Sequence, residues 1–338
     1  MFRKQFPILA VIAAGFIAGL SPLHAQTPQT VRVSEVVRSQ LFVPLYVSLS
    51  KDYFAQEGLK VELTTANGGD RVGSLILSGG ADIGLSGPEV PIYIFNGESP
   101  DKPVIFCGLN GTDGFFLVSR KPVGTFDWKM LDGKKTLGLR PGSTPQMFLE
   151  HLLKKNGIGQ DTIKNIVTNI GFPAREGAWL SGTGEFGVIN EPSASKLERA
   201  KQLYVIDSIG RLLGRAENTV FFAKKSWIEK NADTAQKFTN AIAKAQHWMK
   251  SATDEQIADA VAPHFPGLPK EDNVASIKRF RTSGAPIYSD DPVVDRAGMA
   301  KLQEVMVEGG VLPADKVVAY EAIVAPSFGE KAKALMGK

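Results

Sequence analysis

The stretch Arg140-Pro141-Gly142-Ser143-Thr144-Pro145 gathers a guanidinium, two hydroxyls and a proline ahead of an amphipathic run. It follows the apolar residues 136–139, so Ser143 or Thr144 stands where a helix cap belongs, with Pro145 in the first turn. Free amides at such a start, the hydroxyls and the helix dipole together suit an anionic group. An ordinary capped helix with nothing bound would use the same residues. The partner loop at 39–42 also lies between a first strand and a helix, 103 residues earlier.

Other patterns carry less chemistry. Gly182-Thr183-Gly184-Glu185-Phe186-Gly187 spells a dinucleotide fingerprint, but a helical run precedes it and a strand follows, the reverse of what phosphate binding needs. His151, His247 and His264 are far apart and have no cysteine cluster, and no Gly-x-Ser-x-Gly elbow occurs. Asn110-Gly111-Thr112 matches a glycosylation acceptor yet reads as a turn. Cys107, the sole cysteine, sits in the apolar run 104–109 and reads as a small buried hydrophobe. No catalytic group, metal site or cofactor is expected, so the chain does not read as an enzyme.

The elements that position these residues repeat. Thr65, Gly68, Leu77, Ser78, Gly79 and Gly84 recur at the 103-residue spacing as Thr168, Gly171, Leu180, Ser181, Gly182 and Gly187. Each copy reads as strand, glycine turn, helix, Leu-Ser-Gly break and second strand. Each ends with a proline beside a glutamate, Pro88-Glu89 and Glu191-Pro192. A strand–helix–strand unit used twice predicts two similar α/β lobes with mainly parallel sheets, whose ligands sit outside the carboxyl ends of the strands. Strand-like runs fall at 31–37, 59–63, 83–85, 104–109, 115–119, 136–139, 188–190, 203–207 and 220–223, with a further one near Ile166. Helices are expected over 44–57, 145–155 and 226–251, and another from an Asp290-Asp291-Pro292 cap to Gly309-Gly310. The simplest path leaves lobe one near 108–114, builds lobe two and returns near 208–214, so that two crossing strands form a hinge. The expected domains are a signal peptide (1–25), lobe one (26–112 and 214–338) and lobe two (113–213).

The opening residues carry Arg3 and Lys4, an apolar run from 6 to 20, and Leu23-His24-Ala25, the pattern of a cleaved secretory signal. With no cysteine at the cleavage region, no lipid anchor is expected and the mature chain is placed in the periplasm. Loss of Arg3 and Lys4 lowers the net charge from +4 to +2, and no basic block suggests a nucleic-acid partner.

Several segments together resemble a known family. They are Phe42-Val43-Pro44-Leu45-Tyr46-Val47, Asp52-Tyr53-Phe54, Glu57-Gly58-Leu59-Lys60-Val61-Glu62-Leu63 and Leu77-Ser78-Gly79-Gly80-Ala81-Asp82-Ile83-Gly84. Leu131-Asp132-Gly133-Lys134-Lys135, Pro141-Gly142-Ser143-Thr144 and Asn190-Glu191-Pro192 complete the series in order. The chain is similar to the periplasmic binding proteins for sulfonates, taurine, nitrate and thiamine pyrimidine precursors. The resemblance implies a type II periplasmic-binding-protein fold, two lobes closing on a small ligand, and transient docking of a monomer on an ABC importer permease. It implies a pocket drawn from Arg38, Gln40, Phe42, Gly69, Asp70, Ser86, Gly87 and Glu89 on one side. Ser143, Thr144, Gly171, Phe172 and Glu191 face them, with Asn110 near the hinge.

On this reading Ser143 and Thr144, with Arg38 or Arg140, capture an organic anion such as a sulfonate or carboxylate. Phe42 and Phe172 sandwich a flat body, and Glu89 or Glu191 receives an amine if the ligand is an aminopyrimidine. Asp70 fits either ligand. A pyrimidine-synthase-like enzyme is disfavoured by the single cysteine and the export signal. A sensory module docking on a membrane kinase is left open.

Overall fold

The strands sort into two five-stranded sheets of matching order. The computed structural model describes residues 27–284 and 287–337 together with Met1 and Phe2, so the remainder of the expected signal peptide lies outside the described residues. In chain order the strands are β1 (Gln29–Glu35), β2 (Leu59–Thr65), β3 (Ile83–Ser86), β4 (Pro103–Asn110), β5 (Phe115–Ser119), β6 (Thr136–Leu137), β7 (Ile166–Val167), β8 (Phe186–Asn190), β9 (Tyr204–Ser208) and β10 (Thr219–Lys224). One sheet runs β2-β1-β3-β10-β4 and the other β7-β6-β8-β5-β9. β6, β7 and β8 thus occupy in the second sheet the places of β1, β2 and β3 in the first. The 103-residue echo is a repeat of topology as well as of letters.

Each sheet is parallel except for one strand. β10 runs antiparallel to both β3 and β4, and β5 antiparallel to β8 and β9. These are the strands entered after the chain passes from one sheet to the other, through 111–114 and 209–218. Gly210 shows how closely the passages approach, because a side chain there would meet Thr112 and the Asp113 carbonyl. Both passages are tied inside the protein: Thr112 Oγ1 donates to the Gly214 carbonyl (2.9 Å), and Asn218 Nδ2 donates to Asp113 (3.1 Å).

The core follows from the apolar alternation on the strands and the stripes on the helices that cover them. In the first unit Phe238 of the helix Ala232–Ser251 packs against Phe54, Phe106 and Phe221, with ring centroids 4.9, 6.1 and 4.9 Å away. Cys107 is fully buried there, and burial pushes its thiol pKa well up, as for an inert core residue.

Several expected elements differ in extent. The run 44–57 splits into the helices Val43–Ser50 and Tyr53–Gln56, because Asp52 takes a left-handed backbone (φ 56°) that interrupts the first. The run 226–251 breaks at Asn231 into Lys225–Lys230 and Ala232–Ser251. The helix expected from Asp290 begins at Arg296, capped by Asp295, which accepts from the Gly298 amide (3.1 Å). The extra turn is lost because Val293 N bonds Asp291 and Asp295 N bonds Glu217, so both amides are committed outside a helix. Among the described residues no helix is long and apolar enough to cross a membrane.

Candidate functional site

The carboxyl ends of β1, β2 and β3 face those of β6 and β7 across a cleft of about 740 Å³. Its floor comes from the passages between the sheets, through Phe115, Asn218 and Thr219. The near wall carries Val36, Val37, Phe42, Gly69, Asp70, Glu89, Val90 and Tyr93. The far wall carries residues 140–145, Thr168, Asn169, Gly171 and Phe172. A largely apolar cavity with a few converging polar groups is the usual form of a small-molecule site.

Ten of the residues expected at a binding site line this cleft: Phe42, Gly69, Asp70, Gly87, Glu89, Arg140, Ser143, Thr144, Gly171 and Phe172. Phe172 lies 6.4 Å from Phe115, centroid to centroid, so one aromatic wall is shared between the far side and the floor. Phe42 lines the cleft but is almost wholly buried.

Five others face elsewhere. Arg38 is committed to Glu35 (2.9 Å) and lies over the Tyr46 ring (5.1 Å), completing a buried Glu35–Tyr46–Thr65 network. Gln40 donates to Asn273, and the Ser86 hydroxyl donates to the Gly87 carbonyl (2.9 Å). Asn110 holds the hinge strand by donating to the Leu41 carbonyl (2.9 Å) and Thr219 (3.2 Å). Glu191 is buried behind the cleft, paired with Arg279 (2.8 Å) and bonded by Ser195 and Ser276. It therefore does not present a carboxylate to the cavity. Ser195 lies four residues on, but Ser276 and Arg279 come from the helix Lys270–Thr282, distant in sequence, and nothing near residue 191 signals them.

The helix Thr144–Lys155 opens where the sequence places it, and Ser143 is its N-cap residue. The capping chemistry differs. Ser143 Oγ turns back to donate to the Arg140 carbonyl (2.7 Å) and makes no cap bond. The anionic group at the helix start is Glu89, reaching from the opposite unit. Thr144 N donates to Glu89 Oε1 (3.3 Å) and its hydroxyl donates to Oε2. Burial raises the Glu89 pKa, and the bonds from Thr144 oppose that rise. Arg140 pairs with Asp70 (2.8 Å), and the Tyr93 hydroxyl donates to the Gly142 carbonyl (2.9 Å). The charged side chains lining the cleft are thus Asp70, Glu89 and Arg140.

Val36, Val37, Tyr93, Asn169, Asn218 and Thr219 also line the cavity and were not legible as site residues. Asn218 and Thr219 could have been found only from the return path of the chain, which brings β10 beside β4. Among the described residues no group of three or more His, Cys, Asp or Glu is arranged to hold a metal.

Two α/β units of repeated topology, joined by two passages and enclosing a cleft at their strand ends, define the periplasmic-binding-protein fold. The chain belongs to the NMT1/THI5-like family, which matches residues 40–256. It is 38% identical over 306 residues to YtlA of Bacillus subtilis (strain 168), covering 90% of each chain. Solved structures of the same fold include the periplasmic nitrate-binding protein NrtA from Synechocystis PCC 6803, with a TM-score of 0.74 and 18% identity over 91% of this chain and 89% of that one. Another is the alkanesulfonate-binding protein SsuA from Xanthomonas axonopodis pv. citri bound to MOPS, with a TM-score of 0.71 and 15% identity over 89% of this chain and 100% of that one.

Proposed function

We propose that this chain is the extracytoplasmic solute-binding component of an ABC importer, holding a small organic molecule unaltered between lobe one (26–112 and 214–338) and lobe two (113–213). The observation that carries this reading is the mainly apolar cleft between two units of repeated topology that are linked by two short passages. A ligand touching both walls favours the closed arrangement through contacts it makes only there. Phe115 and Phe172 supply an aromatic surface for its body, and Glu89, Asp70, Arg140 and Asn218 supply the polar contacts. Export through a cleaved leader and docking of a monomer on a permease belong to the same proposal.

Two head groups compete. An organic anion would use the helix start at Thr144 together with Arg140. A neutral or protonated head rich in N–H, such as an aminopyrimidine, would instead donate to Glu89. The second is favoured, because Glu89 already fills the helix start and Arg140 is neutralised by Asp70. A thermal-shift series of aminopyrimidines against sulfonates and carboxylates of equal size tests the choice, since binding to the folded state raises Tm. A rise confined to the aminopyrimidines is expected, and a rise confined to the anions would reverse the assignment. Turnover of any of these compounds would overturn the receptor reading itself.

A further inference from the structure

Three side chains of the near wall reach across the cleft to one turn of the far wall. Asp70 meets Arg140, Tyr93 meets the Gly142 carbonyl, and Glu89 meets both the amide and the hydroxyl of Thr144. Residues 70, 89 and 93 come from two adjacent helices of the first unit, Gly69–Ser78 and Glu89–Asn96. The receiving segment, 140–144, lies between β6 and the helix it feeds.

The backbone is cleared for these contacts. A side chain at Gly87 would run into the Glu89 carboxylate and the Thr144 hydroxyl, while one at Gly68 would run into Asp70 and Arg140. Two glycines of the near wall thus leave room for two carboxylates to cross. The strengths differ. Asp70 is exposed and Arg140 half-buried at the mouth of the cleft, so their pair adds little and is weakened by salt. Glu89 and Thr144 are buried, and a hydrogen bond shielded from water is the stronger kind.

We propose that Glu89 is a tethered closing group, which takes the place an anionic ligand would occupy on the 140–144 turn and, with Asp70 and Tyr93, latches the two lobes by the protein's own side chains. Closure then does not wait for a solute. The closed form is populated by a bond within the chain, and the solute shifts a population that already exists. The latch is reversible, because every partner can exchange its bond for water once the cleft opens. A ligand with an anionic head has to displace Glu89, whereas one with a donor head can share it. Substitution of Glu89 therefore changes two properties together, the resting shape and the preference for head-group charge.

The experiment needs no knowledge of the ligand. Protein stripped by unfolding and refolding is compared by small-angle scattering with the Glu89→Ala/Asp70→Ala variant at low salt. The stripped wild type is expected to be the more compact, with a smaller radius of gyration and a shorter maximum dimension. Because Glu89 is buried, the surface variant Arg140→Ala/Tyr93→Phe is measured beside it and is expected to shift in the same direction by less. An equally extended wild type would overturn the proposal. So would compact variants, since something other than these side chains would then hold the lobes. Neither result bears on whether the cleft binds a solute, which the thermal-shift series decides separately.

Discussion

The most consequential single residues are carboxyl groups kept away from water. Glu217 lies on the second passage between the sheets. One of its oxygens accepts from the Asp295 amide (3.0 Å), and the other has no partner. A side chain at Gly108 would touch that second oxygen and the carbonyls of Pro292 and Val293, so acceptors crowd it. Burial pushes the Glu217 pKa up to about 8, with Asp295 and Asp291 adding to the rise. Asp113 on the first passage is pushed up to about 7 by burial, against its bonds from Phe115 N and Asn218.

In the folded chain Asp113 holds its proton up to about pH 7 and Glu217 up to about pH 8, whereas both lose it near pH 4 when the chain unfolds. Their stabilisation is therefore complete below about pH 4 and is lost as pH rises through 7 and 8. Glu217→Gln keeps the neutral form at every pH. It should change stability little at pH 5 and raise it at pH 8.5 by several kcal/mol, at roughly 1.4 kcal/mol for each pH unit over which the folded chain alone holds the proton. Urea unfolding at the two pH values measures this, and parallel curves for variant and wild type would show that Glu217 does not titrate in the range. Thr144→Ala removes the hydroxyl donor to Glu89 and strands a buried carboxylate oxygen. About 1–3 kcal/mol should be lost in the same assay, with Thr144→Ser retaining most of it.

At the scale of elements, the sequence carried the sheet pattern and missed the braces. The topology was legible because Val61-Glu62-Leu63 and Ile166-Val167-Thr168 enter matching glycine turns, and such turns are set by local backbone chemistry. The helix start at Thr144 was legible for the same reason. What filled it was not, since Glu89 arrives from another unit and tertiary reach leaves no local mark. Glu191 illustrates the converse. The family resemblance implied a place on the cleft wall, but Arg279, Ser276 and Ser195 enclose it behind β8.

The helix Lys270–Thr282 is therefore an element with a predictable weight. Arg279 pairs with Glu191 and Glu198, Arg199 pairs with Asp272 (2.7 Å), and Phe280 stacks on Phe116 of β5 (5.9 Å). Arg279→Ala leaves Glu191 buried without its cation, for which about 3–5 kcal/mol of lost stability is expected in denaturant unfolding. The double variant Arg279→Met/Glu191→Met removes both charges and should recover most of that loss. A single variant as stable as wild type would mean that Ser195 and Ser276 alone satisfy the carboxylate.

At the scale of the whole molecule, the same helix decides how independent the lobes are. It follows β10 and so falls in the carboxy-terminal part of the chain, yet it packs on β5 and the helix Ser193–Arg199 of the second sheet. Its other side is fixed to the first unit, where Asn273 accepts from Gln40 and donates to the Ala258 carbonyl (2.7 Å). Phe280 also lies beside Gly114 on the first passage, where an added side chain would touch its ring. The contact is thus near the pivot, where a small rotation moves atoms little, and the brace can persist while the cleft opens. Two units sharing a buried helix should unfold together, so calorimetry of the wild type is expected to show one transition. Phe280→Ala opens a cavity worth about 3–5 kcal/mol between the units. The variant should then melt in two steps, with near-ultraviolet circular dichroism and intrinsic fluorescence no longer superimposing. A single, merely lower transition in that variant would mean that the remaining contacts between the lobes, among them Glu89–Thr144 and His151–Glu308 (2.6 Å), carry the coupling without Phe280.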